Sequence, residues 1–372
     1  MAYLDYNATA PMKPAVRSAV LEAMERYGNP SSAHRYGRIA RRHVEEARAS
    51  VAAFVGVKPT QVVFTSGGTE ANATFLKGVE SSVFVTSTIE HDSVHTATPY
   101  AARIPVLPNG VIDMEAAARI LKEVPPRSVV SVMLVNNETG VIQPLAELAR
   151  AAERYGHCVH TDAVQAAGRL PIDFAALGVQ AMTLSAHKIG GPQGIGALIL
   201  DEKLTLAPLL QGGGQEMNRR AGTENVAAIV GFGVAVRLAA DDLRDMPNMG
   251  LLRDYLQTEL QAVGGDDAVV IGEHAPRVAN TLCLALRNVP SETQVVAMDL
   301  AGVAVSAGAA CSSGKVKASH VLRAMDCAPD VAGSGLRISL GWDTKRSDIN
   351  RCVEAWRALY QRTSISFKTR AA

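Results

Sequence analysis

The chain of 372 residues is 48% hydrophobic and 20% charged, with a formal net charge of +1. This balance describes a soluble globular protein with ample core and gives no reason to expect nucleic acid or an anionic membrane as principal partner. Five cysteines (158, 283, 311, 327 and 352) form no C-x-x-C pair, which argues against a disulfide framework and a closed zinc site. The start, MAYLDYNATAP, lacks the basic residues and apolar run of a signal peptide, and no segment is apolar over a membrane's width, so a cytoplasmic address is expected.

The first predicted helix, over 15–27, places Val16, Val20, Met24 and Tyr27 on one stripe. A second follows over 38–56 and stops at Gly56; its Arg41/Glu45 and Arg42/Glu46 spacings predict a salt-bridged, solvated face. Short β-rich runs come next, at 61–65, 82–87, 129–135, 157–161, 181–185 and 196–200, with helical stretches between most of them. Being apolar throughout, they predict a mostly parallel sheet covered on both faces. Such sheets collect chemistry at the carboxyl ends of their strands, and here the runs end in SGGTE, NNETG, DAVQ and AHK. From about residue 250 the pattern becomes that of a smaller α+β unit: a helix over 251–263, RVANTLCLAL, a helical ETQVVAMDLA, VAVS, a loop around Cys311, GLRISLG and a last helix near Ser347. Cys158, Cys283 and Cys352 fit buried positions. Cys311 does not, because small residues flank it and Lys315 and Lys317 lie just behind.

Three motifs carry chemistry in combination. In SAHKIGGPQG, Lys188 ends a buried strand, where desolvation favours a neutral, nucleophilic amine. In HTDAVQAAG, Asp162 ends another strand and is suited to pair with the protonated ring nitrogen of pyridoxal 5'-phosphate (PLP). In TSGGTEAN, a strand runs through Gly67 and Gly68 into a helix whose free N–H groups suit a phosphate. His91 and His95 have metal-compatible i,i+4 spacing, but position 92 is Asp where the metalloprotease signature needs Glu. His157 and His160 should point to opposite faces of a strand and serve the core or surface.

Over essentially its whole length the sequence resembles the cysteine desulfurases of the nitrogen-fixation and housekeeping iron–sulfur type. These belong to the class V aminotransferase group of fold-type I PLP enzymes. YLDYNATAP, GNPSSAH, TSGGTEAN, EHDSV, VNNETG, HTDAVQAAG, SAHKIGGPQGIGAL, RRAGTENV, SAGAACSSG, SHVLRAM and GLRISLG carry the resemblance. It implies an α/β fold with a large domain (15–250) around a mostly parallel seven-stranded sheet covered by helices. A smaller α+β domain (1–14 with 251–372) would carry the Cys311 loop.

By the same resemblance, Lys188 would bear the cofactor, Asp162 would hold the ring nitrogen, and Gln165 the ring hydroxyl. His91 would stack on the ring and move protons, and Asn137 would lie near the ring hydroxyl and substrate. Gly68, Thr69, Ser185 and His187 would surround the phosphate. Thr223 would reach it from the partner subunit, which implies a homodimer. Arg337 would clamp the substrate carboxylate, and Cys311 would be the nucleophile. The expected reaction takes L-cysteine to L-alanine, leaves sulfur on Cys311 as a persulfide, and passes it to a scaffold or other acceptor for iron–sulfur cluster assembly. No resident metal is expected, although Cys311 could ligate a transferred cluster. Selenocysteine lyase or another class V aminotransferase activity is the enzymatic alternative, and a non-catalytic sulfur-carrier or assembly subunit the alternative of another class.

Overall fold

The computed structural model describes residues 1–81, 83–308 and 319–371, with side chains through residue 363. The N-terminal arm opens with strand β1 (Ala2–Tyr3). A central sheet is then built from β2 (Val62–Thr65), β3 (Phe84–Ser87), β4 (Ala102–Ile104), β5 (Val129–Ser131), β6 (Cys158–Asp162), β7 (Ala181–Ser185) and β8 (Gly196–Leu200). Their order is β2-β8-β7-β6-β5-β3-β4. Strand β8 runs antiparallel to both neighbours, and every other pair is parallel. Every residue of β2, β5, β7 and β8 is buried, because helices cover both faces. The expected mostly parallel seven-stranded sheet is thus present.

Beyond strand ends shifted by one or two residues, two points differ from the sequence reading. The run over 129–135 leaves regular structure after Ser131, yet Val132 and Leu134 still donate to His160 and Asp162 carbonyls. Strand β4 was not anticipated, since its three residues (Ala-Arg-Ile) carry too little pattern.

The helix Arg35–Val55 begins at His34, whose ring accepts from Gly37 N–H, and ends at Gly56 in the left-handed conformation (φ 74°). Arg42 pairs with Glu46 at 3.6 Å. The expected Arg41–Glu45 pair is not formed; Glu45 instead faces Arg48. The helix Pro14–Glu25 buries Val16 and packs the partly buried Val20 against the core, while Met24 is 68% and Tyr27 73% exposed, so the first half of the predicted stripe reaches the core and the second half does not. The helix Val226–Asp242, apolar on nearly every side, packs against both of these helices and sets Phe232 edge-on to Phe64 of β2.

The later chain adds β9 (Ala268–Ile271), β10 (Thr281–Leu286), β11 (Val303–Ala304), β12 (Ser306–Ala307) and β13 (Gly335–Ser339). A four-stranded antiparallel sheet, β12-β13-β10-β9, packs with the helices Met246–Gly264, Ser291–Leu300 and Arg346–Ala371. Leu4, Leu256, Leu282, Leu336, Ile349, Cys352 and Trp356 form a second core there. The arm joins it: β1 pairs in parallel with β11, and Asp5 bridges to Ser339. No helix among the described residues is long and apolar enough to cross a membrane.

Candidate active site

The parallel strands β3, β5, β6 and β7 end at a pocket of about 400 Å³, within the range of small-molecule sites. Its lining includes Gly68, Thr69, His91, Asn137, Asp162, Gln165, Ser185, His187, Lys188 and Arg337. Ten of the residues expected from sequence are therefore brought together. Thr223 is not among them: it is exposed and lies just before the helix Val226–Asp242. Cys311 lies outside the described residues.

Lys188 follows β7 in a single 3-10 turn, Ala186–Lys188. Its Nζ donates to the carbonyls of Asn7 and Ala8, both at 2.7 Å. Burial pushes its pKa down to about 7, with the charges of Arg337 and Arg169 acting the same way and Asp162 and Asp5 opposing. The amine is thus substantially neutral near physiological pH, as a nucleophile or base requires. The neighbouring His187 is held neutral as well, at about 4, by burial and by Lys188.

Asp162 ends β6 with one carboxylate oxygen accepting from Asn72 Nδ2 (2.8 Å) and the other from Val164 N–H (3.0 Å). These bonds fix the carboxylate at the pocket wall. Gln165 donates to Asn7 O at 3.0 Å. His91 caps the helix Asp92–Ala97 through its Nδ1, and is an exposed residue of the pocket lining. Opposite Lys188, Gly67 sits at φ 156° and ψ −179°, a region open essentially only to glycine. It turns β2 into the helix Gly68–Gly78, whose first N–H groups have no intrahelical acceptor. Gly196 permits this turn, because a Cβ there would meet Gly67 backbone at 2.7 Å.

Arg337, in β13, is buried with a counter-charge already present. Its Nη2 donates to Asp5 Oδ1 (2.9 Å) and its Nη1 to Asn137 O (3.0 Å), while the buried Nε has no partner among the described residues. An orphaned guanidinium N–H at a pocket wall is suited to a carboxylate ligand. Cys283 and Cys352 are buried as expected, whereas Cys158, the first residue of β6, is only partly buried; burial pushes Cys158 and Cys352 up to about 12 and raises Cys283 too, so these thiols are inert. Cys327, undecided from sequence, is half-buried and packs against the main core. His157 and His160 are core groups: His157 bonds Leu121 O, and His160 bonds Ser131 and Thr183. No cluster of His, Cys, Asp and Glu among the described residues is arranged to hold a metal.

Several working parts escaped the sequence reading. Asn7 and Ala8 hold Lys188 through backbone carbonyls, a role that leaves no residue-type signature. Asn72, which steadies Asp162, lies inside a quoted motif but on the helix beyond the glycines. Glu90, fully buried and raised to about 8 by burial, bonds Met133 N–H behind the pocket. A neutral lysine, a facing carboxylate, a free helix N-terminus and an orphaned guanidinium N–H match the amine-reactive aldehyde, ring nitrogen and phosphate of PLP and a substrate carboxylate. The residues present fit that cofactor.

Comparison with known proteins agrees. The family model described as Aminotransferase class-V matches residues 2–352. A cysteine desulfurase of Cereibacter sphaeroides is 40% identical over 95% of this chain and 94% of its own length. The cysteine desulfurase IscS of Dictyoglomus turgidum is 37% identical, covering 95% and 92%. The X-ray structure of a NifS-like protein from Rickettsia africae superposes with a TM-score of 0.90 at 34% identity, covering 97% of this chain and 99% of that one. The chain belongs to the class-V aminotransferase family, whose members work with PLP.

Proposed function

We infer that the protein is a PLP-dependent cysteine desulfurase that converts L-cysteine to L-alanine and supplies sulfur for iron–sulfur cluster assembly. The supporting observation is one of placement. Gly308 and His320, which flank the segment containing Cys311, line the same pocket as Lys188 and Arg337. Three residues of chain span at most about 11 Å, so a thiol at position 311 is tethered within reach of that pocket.

PLP, when bound, supplies an electron sink for the negative charge left on the substrate carbon after proton removal. In this reading Lys188 carries the cofactor and takes the α-proton, which its largely neutral amine permits. Asp162 holds the ring nitrogen and Gln165 the ring oxygen. Gly68, Thr69, Ser185 and His187 hold the phosphate, with Thr223 of the partner subunit completing it in a homodimer. Arg337 and Asn137 orient the substrate. The Cys311 thiolate attacks the substrate sulfur: an S–S bond forms, the C–S bond breaks, and its electron pair stays with the β-carbon. The β-carbon takes up a proton, carried by His91, and Lys188 returns a proton to the α-carbon, which gives alanine. The terminal sulfur then passes to an acceptor protein. Residues 1–14 with 251–372 act as the small domain, in keeping with their separate sheet and core, and the enzyme works in the cytoplasm.

Two variants test this reading. Replacing Cys311 with Ala should abolish alanine formation from cysteine while the protein remains yellow. Replacing Lys188 with Ala should remove the borohydride-sensitive absorbance. Retained turnover in the first variant would point to a selenocysteine lyase or aminotransferase. A colourless wild-type protein would point to a non-catalytic assembly subunit.

A further inference from the structure

Behind Lys188 lies a second, small cavity of about 40 Å³, lined among others by Tyr6, Arg169, Lys188, Asp242 and Asn280. Arg169 is 7% exposed and is an anomaly there. Its Nη1 donates to Gln165 O at 2.7 Å and to Gln165 Oε1, and no carboxylate pairs with it among the described residues. The cavity's one carboxylate, Asp242, is engaged by Lys13 instead. A buried guanidinium without a counter-charge is costly, and an apolar side chain of similar volume would ordinarily serve stability better. The turn that carries it is rigid: Arg169 and Leu170 N–H both bond Ala166 O, and Gly168 (φ 70°) packs against Ile189 and Ala239. The charge is therefore fixed in place.

The groups facing Lys188 come from four parts of the fold. Asp162 stands on β6, His187 on its own turn, Arg337 on β13, and Asp5 with Tyr6 on the N-terminal arm. Asp5 is engaged by Arg337 and Ser306, and Asp162 by Asn72 and Val164. The negative charges near the lysine are thus already partnered, and Arg169 adds a positive charge on the side away from the pocket.

We propose that Arg169 is a positioning residue that acts through Lys188: its fixed, carboxylate-free guanidinium keeps the lysine amine neutral and ready for an electrophile in the pocket. Burial lowers Lys188, and Arg169 adds to that effect in the same direction. The inference rests on Lys188 being the cofactor-bearing lysine of the reading above.

The test uses the full-length chain with PLP removed and follows Lys188 acetylation by trace labelling and mass spectrometry across pH. The wild-type midpoint is expected near 7. Arg169→Met should raise it, and a rise of about half a unit makes the amine roughly twofold less reactive at pH 7. Arg169→Lys, which keeps the charge, should leave the midpoint within a few tenths. Arg169→Met should also melt at or above the wild-type temperature, because it removes an uncompensated buried charge. An unchanged midpoint in Arg169→Met would overturn the proposal. So would failure of that variant to fold, since the charge would then be serving stability. A shifted midpoint in a protein that makes no alanine from cysteine would leave this inference standing and sink the desulfurase reading instead.

Discussion

At the scale of single residues, Lys188 has a thermodynamic consequence that does not depend on turnover. Its pKa in the fold is about 7, against 10.5 ordinarily. Between those values the unfolded chain binds a proton that the folded chain does not, so this group makes stability rise with pH over that window. Two other sets of groups act oppositely. Glu90, raised to about 8, keeps a proton that the unfolded chain has lost, and the buried thiols do the same above their ordinary values. Comparing variants separates these contributions. In the PLP-free protein, denaturant melts of wild type and Lys188→Met between pH 7 and 8.5 should diverge, with wild type gaining stability relative to the variant as pH rises. Parallel curves would show that the amine titrates normally.

Among the elements, the segment before the helix Val226–Asp242 shows how local cost and long-range contact offset one another. Glu216, Met217 and Asn218 all adopt left-handed backbone (φ 47°, 56° and 64°), at about 1–2 kcal/mol each. Glu216 holds them: its carboxylate takes Arg48 Nη1 and Nη2 at 2.7 and 2.8 Å and Phe64 N–H at 2.8 Å, with both side chains buried. Glu216→Ala should cost about 3 kcal/mol, because it leaves the buried Arg48 with only the more exposed Glu45 as counter-charge; urea unfolding measures this directly. A loss below ~1 kcal/mol would show that the segment is held elsewhere, for example by Arg220 on Glu70. This pairing also marks where sequence reading stops. The strand–motif–helix order was legible because apolar runs and glycine turns act over a few residues. Arg48 escapes such a reading, since nothing local says that a carboxylate 168 positions away will cover it. Asn7 was hidden for the same reason, and Arg169, one residue past the HTDAVQAAG motif, has no signal of its own. The pocket residues were legible where chemistry demands a side-chain type, and illegible where a backbone carbonyl or a distant counter-charge does the holding.

For the whole molecule, the proposed sharing of sites makes a mixing experiment decisive. Lys188→Ala and Thr223→Ala proteins should each show little activity alone. Co-refolded, they should regain activity in mixed dimers, because one site then draws an intact Lys188 from one protomer and an intact Thr223 from the other. No recovery in dimers shown by mass to be mixed would place Thr223 outside the working site. The exposed position of Thr223, away from its own pocket, supports contribution in trans. The N-terminal arm also bears on when the protein becomes competent. Asn7 and Ala8 hold Lys188, yet the arm is anchored by β11 and Ser339, roughly 300 residues further on. At about 5–20 residues per second of synthesis, the first residues to emerge wait roughly 15–60 s for their partners. On the ribosome the central sheet can therefore form while the arm has only its nearer contacts, Ala10 N–H on His187 O and Gln165 on Asn7 O, and the clasp on Lys188 is completed last.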